Sequence, residues 1–363
     1  LKKILIIDNL FAPNKKGSIS NGAQKFAINQ FHLLNREYDT YIVTAAGSDH
    51  QWANQFVLNE FFDLSLDRPD KVAQTKRISQ EIDKIVKQVQ PDYVLDSSCK
   101  HMSTIWDKYP VGVIFEHYHK SSAPLSEDGN EKFNKKGVTW CGVSQWQNKE
   151  FRNLFDAVLN IHYINEPPKE VKPAEKYGIF VSRWDGGKSP HVMLKNYLRS
   201  GANIPVKCYI KMGGTEIPQK ELNNLMASDL LEFHIDAPRQ EILDAMASAA
   251  FGMGSGHEST GIVCLEYVSH GVPYIVAGNK VVAEMEHLPA DSIYLADRSL
   301  DESIPEQIKK HIDKCLEWDY NSRKQLSERV CVMYNADNFI DRHKDLLKKA
   351  EAKKNGNVST LPI

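Results

Sequence analysis

Long apolar runs, cysteines at paired spacing and net charge are all scarce in this chain. No stretch reaches the roughly 18 uninterrupted apolar residues of a membrane-crossing helix, and the start KKILIID reads as a strand rather than a signal peptide. Cys99, Cys141, Cys208, Cys264, Cys315 and Cys331 form no C-x-x-C pair and no metal-ligand spacing. That argues against a zinc module or a disulfide framework and suits reduced thiols in a cytoplasm. With 45 basic against 47 acidic side chains the formal charge is −2, which excludes a globally basic nucleic-acid binder. Any polyanion must be met by a local patch. The expectation is a soluble cytoplasmic protein with no membrane span.

What the chain does have is alternation. At 363 residues, 42% hydrophobic and 25% charged, it is an ordinary globular sequence too long for one core, so two domains are expected. Lys3 to Asp8, a helical pattern from Gln24 to Asn35 and a strand from Thr40 make a β-α-β unit. Its first loop, which holds Gly17 and Gly22, then falls at the carboxyl edge of a parallel sheet, where ligands bind. A helix from Thr75 to Gln90 and strands Asp92–Asp96 and Val111–Phe115 follow, the last running into Glu116-His117-Tyr118-His119-Lys120. GVTWCGVS and Val158–Tyr163 read as two more strands. The segment NEPPKEVKPAEKYG, with three prolines and almost no apolar residue, marks a linker, after which strands and helices alternate again. The alternation thus points to an α/β protein of two similar halves, 1–166 and 167–337, followed by a last helix at about 338–363.

The richest stretch is AFGMGSGHESTGIVCLEYVSHGVP, Ala250 to Pro273. It reads as a strand end, a glycine-bearing turn, a helix opened by Ser259 and Thr260, and a stop at Gly271. Glu258 and Glu266 lie eight positions apart, about 2.2 helical turns, so Glu266 is expected roughly two turns into that helix. The backbone N–H groups of Thr260, Gly261, Ile262 and Val263 would form an anion cradle between them. Upstream, Arg183 ends a strand and Lys188 follows after Gly186-Gly187, so both cations can swing toward one diphosphate. Gly213 and Gly214 permit close backbone approach, the loop from His234 to Arg239 can edge a nucleobase, and the Glu266 carboxylate suits a ribose diol. Diphosphate, ribose and sugar each find a partner, which describes a nucleotide-sugar.

The E-x7-E pair Glu258/Glu266, Arg183 and Lys188 before it and Gly271-Val272-Pro273 after it resemble the retaining GT-B glycosyltransferases of the family 4 type. That resemblance implies two Rossmann-like domains facing a central cleft, with the C-terminal helix crossing back to the N-terminal, acceptor-side domain. It implies Arg183 and Lys188 on the donor diphosphate, Glu266 on the ribose and Glu258 and His117 on the transferred sugar. Asn21-Gly22-Ala23 would add a further sugar-facing element. No metal would be required, and a UDP-sugar would be the usual co-substrate. More narrowly, VIFEHYHKS, GVTWCGVSQWQNKEF and NGAQKFAINQF are similar to segments of T-even phage DNA glucosyltransferases of the alpha type. These modify hydroxymethylcytosine in duplex DNA, which would place this protein in the cytoplasm of a phage's host. This chain carries Tyr118 where that enzyme carries an aspartate. DNA as acceptor would involve Tyr118, His119, Lys135 and Lys136, within a basic set that adds Lys15, Lys16, Lys132, Lys149 and Arg152. Three alternatives stand beside this: a family 4 type transferase with a glycan or lipid acceptor, a nucleotide-sugar epimerase, and a non-catalytic nucleotide-sugar-binding protein.

Overall fold

Four consecutive apolar side chains of β1 (Lys3–Ile7), Ile4 to Ile7, are fully buried, which requires a strand covered on both faces. The structure, a computed structural model, describes residues 1–8, 10, 22–61, 63, 66–97, 108–115, 138–143, 148, 155–159, 163–164, 167–185, 188–212, 217–254, 261–277, 293–296 and 304–356. After β1 come α1 (Gly22–Leu34), β2 (Asp39–Thr44), β3 (Gln55–Val57), α2 (Arg68–Val89), β4 (Tyr93–Asp96), β5 (Val111–Phe115), β6 (Val138–Gly142) and β7 (Ala157–Val158). The strands pair in parallel in the order β3-β2-β1-β4-β5-β6-β7.

The second alternation runs β8 (Glu175–Trp184), α3 (Pro190–Arg199), β9 (Val206–Met212), α4 (Gln219–Met226), β10 (Leu231–Ile235), α5 (Arg239–Ser248), β11 (Ala249–Gly254), α6 (Ile262–Ser269), β12 (Tyr274–Ala277) and β13 (Ile293–Ala296). Its sheet is also all parallel, in the order β10-β9-β8-β11-β12-β13. Helices α7 (Ile304–Leu316), α8 (Tyr320–Met333) and α9 (Ala336–Lys354) complete the described chain. Two compact units result, Leu1–Ile161 with Ala336–Ile363, and His162–Asn335. No helix among the described residues is long and apolar enough to cross a membrane.

Several elements differ from the sequence reading for physical reasons. β3 is three residues long, too short for an alternation to register. α2 starts at Arg68 rather than Thr75, because Pro69 sits in the first turn, where its missing N–H removes no helical bond. The strand expected over Val158–Tyr163 is confined to Ala157–Val158 among the described residues. Among the described residues none of the five cysteines forms a disulfide; four are buried and Cys331 is partly so.

Helix α9 packs on α1, β5 and β6. Its buried stripe is Phe339, Ile340, His343, Leu346, Leu347 and Ala350, a spacing of three and four residues that keeps one face inward. His343 is fully buried between rings, Phe26 at 5.8 Å and Phe339 at 4.2 Å between centroids. Its Nδ1 lies 2.8 Å from the Phe339 carbonyl oxygen and therefore donates, so Nε2 accepts from the Gln30 amide at 3.0 Å. Burial pushes this imidazole down to about 4, the state in which it is neutral and holds α9 to α1.

Candidate functional site

In the second sheet the chain leaves β8 toward β9 on one side and reaches β11 on the other. The loops after β8 and β11 therefore part at the carboxyl edge, and a doubly wound sheet opens a binding crevice there. Arg183 is the next-to-last residue of β8, in register with Lys211 of β9. Its side chain is half-exposed, and its Nε stands 3.0 Å from Oδ2 of Asp185, a residue only 4% exposed. That oxygen forms an ion pair with Arg183 without an aligned hydrogen bond. The other, Oδ1, accepts the Lys188 backbone N–H at 3.0 Å. The Asp185 carbonyl accepts the N–H groups of Lys188 and Ser189 at 3.2 and 3.0 Å. Ser189 then takes a left-handed conformation, φ 48° and ψ 46°, and Pro190 opens α3. One buried carboxylate thus holds Arg183 and the Lys188 backbone on the same turn. Asp185→Ala is expected to cost about 2 kcal/mol in urea unfolding, since it removes a part-buried acceptor from both.

On the far side of the switch point, β11 is buried at every residue. A Cβ on Gly252 would lie 2.7 Å from the Tyr267 ring, so glycine lets α6 sit close against β11. The Tyr267 hydroxyl accepts the Val181 N–H of β8 at 2.9 Å and so ties α6 to the strand that carries Arg183. The end of α6 is closed by a Schellman motif: Val272 N–H bonds the Tyr267 carbonyl and Gly271 N–H that of Val268, both at 3.0 Å. Gly271 has φ +71°, and a Cβ there would meet the Arg323 carbonyl oxygen at 2.4 Å. From α8, Arg323 donates to the carbonyls of Ala249 at 2.7 Å and Ala247 at 3.2 Å, and the Ser327 hydroxyl donates to that of Ser269 at 2.5 Å. Burial lowers the Arg323 pKa to about 10, a value at which it is still a cation at neutral pH. Gly271→Ala is expected to lower stability by about 2 kcal/mol, measured by thermal unfolding, because a side chain adds both left-handed strain and a backbone clash.

The helix start corrects the sequence reading. α6 begins at Ile262 with Gly261 as its cap at φ 62°, ψ 40°, so Ser259 and Thr260 do not open it. A glycine suits that left-handed cap, which a hydroxyl residue would occupy only with strain. Ile262 and Val263 are its first residues, and Glu266 is the fifth, about one turn in rather than two. The Glu266 carboxylate meets Arg239, the first residue of α5, with Nη2 to Oε1 at 2.7 Å and Nη1 to Oε2 at 3.1 Å. Arg239, the last residue of the loop expected to edge a nucleobase, is thus paired with Glu266. Beside it, His234 stacks on Tyr209 with centroids 4.5 Å apart and reaches Glu232 and Glu241, each at 2.9 Å.

No family model matches the chain, and no curated protein matches it either. Solved structures do. A sucrose-phosphate synthase from Thermosynechococcus elongatus superposes with a TM-score of 0.70 at 11% identity, over 97% of this chain and 100% of that one. A glycosyltransferase from Rickettsia africae ESF-5 gives 0.68 at 13%, over 96% and 98%. The lipopolysaccharide outer core galactosyltransferase WaaB, in its apo form, gives 0.63 at 13%, over 96% and 99%. The fold is GT-B. At such identities the likeness establishes the two Rossmann-like domains of GT-B and nothing finer.

Within this GT-B chain, Arg183, Lys188, Arg239, Gly261, Ile262, Val263 and Glu266 all belong to the unit His162–Asn335. Gly22 opens α1 in the other. Glu258, Ser259, Thr260, Gly213, Gly214, His117, Tyr118, His119, Lys135 and Lys136 lie outside the described residues, as do Lys15, Lys16, Lys132, Lys149 and Arg152. Gly213 directly follows β9, and His117 follows β5 by two residues. Among the described residues no group of three or more His, Cys, Asp or Glu could hold a metal ion. The sequence reading missed Asp185 and the anchoring of α6 by Tyr267. Asp185 carried a signal, since Asp-Gly-Gly after a strand favours a turn in which the aspartate bonds backbone N–H groups ahead of it. Tyr267 carried none, because an aromatic in a short apolar helix reads simply as core.

Proposed function

We propose that this protein is a retaining glycosyltransferase that moves a sugar from a nucleoside-diphosphate sugar, a UDP-sugar foremost, to an acceptor hydroxyl. The supporting observation is the convergence at one switch point of the Arg183–Asp185–Lys188 turn with the start of α6 and its Glu266. Arg183, Lys188 and the amino end of α6 stabilise the charge that builds on the departing diphosphate, in the role a divalent cation would otherwise fill. Glu266 accepts the ribose hydroxyls. Glu258 and His117 position the transferred sugar, with Gly22, Gly213, Gly214, Ser259 and Thr260 along the donor. Attack comes from the face the diphosphate leaves, and the departing phosphate takes the acceptor proton.

For the acceptor we propose hydroxymethylated cytosine in duplex DNA, contacted by Tyr118, His119, Lys135 and Lys136. The base would be turned out of the stack to be reached. The test is incubation with UDP-, GDP- and ADP-sugars and hydroxymethylated DNA, read by mass gain on the DNA and by the anomeric configuration of the product. Activity that survives chelation supports metal independence. Mass gain only on glycan or lipid acceptors overturns the DNA assignment, and a changed nucleotide-sugar released without acceptor identifies an epimerase. Tight nucleotide binding with no turnover overturns the enzyme reading.

A further inference from the structure

We infer that Arg239 is a positioning residue that fixes the Glu266 carboxylate for a vicinal diol, and so gives the site its preference for ribonucleotides over 2′-deoxyribonucleotides. The inference rests on the nucleotide-binding reading above. Arg239 stands at the first position of α5, where a cation meets the positive end of the helix and is disfavoured. A residue held there against the helix dipole needs a compensating anion, and Glu266 is that anion. The contact joins both terminal guanidinium nitrogens to both carboxylate oxygens, at 2.7 and 3.1 Å, a fork geometry that restrains the carboxylate plane as well as its position. Only 17% of the Glu266 side chain is exposed. Its backbone lies one residue before Tyr267, whose hydroxyl is tied to β8 and whose carbonyl takes part in the Schellman closure of the helix.

Backbone and side chain of Glu266 are thus both set before any ligand arrives. A carboxylate offers about four acceptor sites, and one carboxylate can accept from two adjacent hydroxyls. A 2′-deoxyribose presents one hydroxyl fewer to an acceptor that cannot turn to compensate. Without Arg239 the carboxylate rotates among rotamers, and the second hydroxyl loses most of its advantage. The same pair could merely tie α5 to α6, which would affect melting but not sugar discrimination.

The experiment is calorimetric titration of the full chain with UDP and 2′-deoxy-UDP, and with the corresponding adenine and guanine pairs, for the wild type, Arg239→Ala, Arg239→Gln and Arg239→Lys. The wild type is expected to bind one ribonucleoside diphosphate about tenfold more tightly than its deoxy form, the worth of one charge-assisted hydrogen bond. Arg239→Ala and Arg239→Gln are expected to reduce that ratio to within about twofold, mostly by weakening the ribonucleotide, while Arg239→Lys restores part of it. An unchanged ratio in variants that fold, as judged by circular dichroism, overturns the inference and leaves Arg239 a structural tie. Because Arg239→Gln keeps most of the side-chain length, it answers the question if the alanine variant unfolds. Failure of the wild type to bind any nucleoside diphosphate overturns the nucleotide reading itself, and the inference with it.

Discussion

Replacing Arg183 by alanine is expected to slow sugar transfer by roughly two to three orders of magnitude, the usual cost of deleting one group that stabilises developing negative charge. The size follows from placement. Arg183 sits at the end of β8, in register with β9, so its backbone cannot drift, and Asp185 holds its Nε from one side. A guanidinium anchored in this way is already oriented before the diphosphate departs and needs no reorganisation in the transition state. Its side chain is half-exposed, so the fold should tolerate the loss and melting should change little. Arg183→Lys keeps the charge without the planar fork and should recover only part of the rate. Steady-state kinetics on the acceptor proposed above measure both. Full activity in Arg183→Ala would remove this residue from the diphosphate site.

Acid should destabilise the protein through His343 by about 3 kcal/mol. In the unfolded chain the imidazole takes up its proton near the ordinary 6.5, but in the fold only near about 4, because burial penalises the charged form. Between those two values the unfolded state binds more protons than the folded one. Stability is therefore fully present above 6.5 and is lost as the pH falls toward about 4. The gap between the two values, at about 1.4 kcal/mol for each tenfold in proton affinity, gives that figure. Protonation would also set the Nε2 proton against the Gln30 amide, and so strain the contact between α9 and α1. Urea unfolding at about pH 7.5 and about pH 4.5 checks this, with His343→Gln as the control for carboxylates that titrate in the same window. The wild type should lose roughly 2 to 3 kcal/mol more than the variant across that range. Equal losses would show that His343 does not carry the effect.

Much of the architecture was legible because it is written in local patterns. Apolar runs such as KILII and AAFGMG marked buried parallel strands, and β-α alternation on either side of a proline-bearing segment implied two doubly wound sheets. Arg183 could be placed at the end of a strand by counting residues alone. The start of α6 was misread, since Ser259-Thr260 has the composition of a cap while Gly261 is the residue that takes the left-handed cap conformation. β3 escaped because three residues cannot display a period.

Sequence by itself determined the sequence of strands and helices, the two-part organisation and the strand-end positions of the charged residues, because each depends on side chains within a few positions of one another. Tertiary structure alone decided what those residues touch. Arg239 and Glu266 are 27 positions apart and meet because α5 and α6 start at the same edge of one sheet. Gln30 and His343 are 313 positions apart and meet because α9 returns to α1. Pairs like these are chosen by how helices cover a sheet, and periodicity along the chain holds no record of that choice.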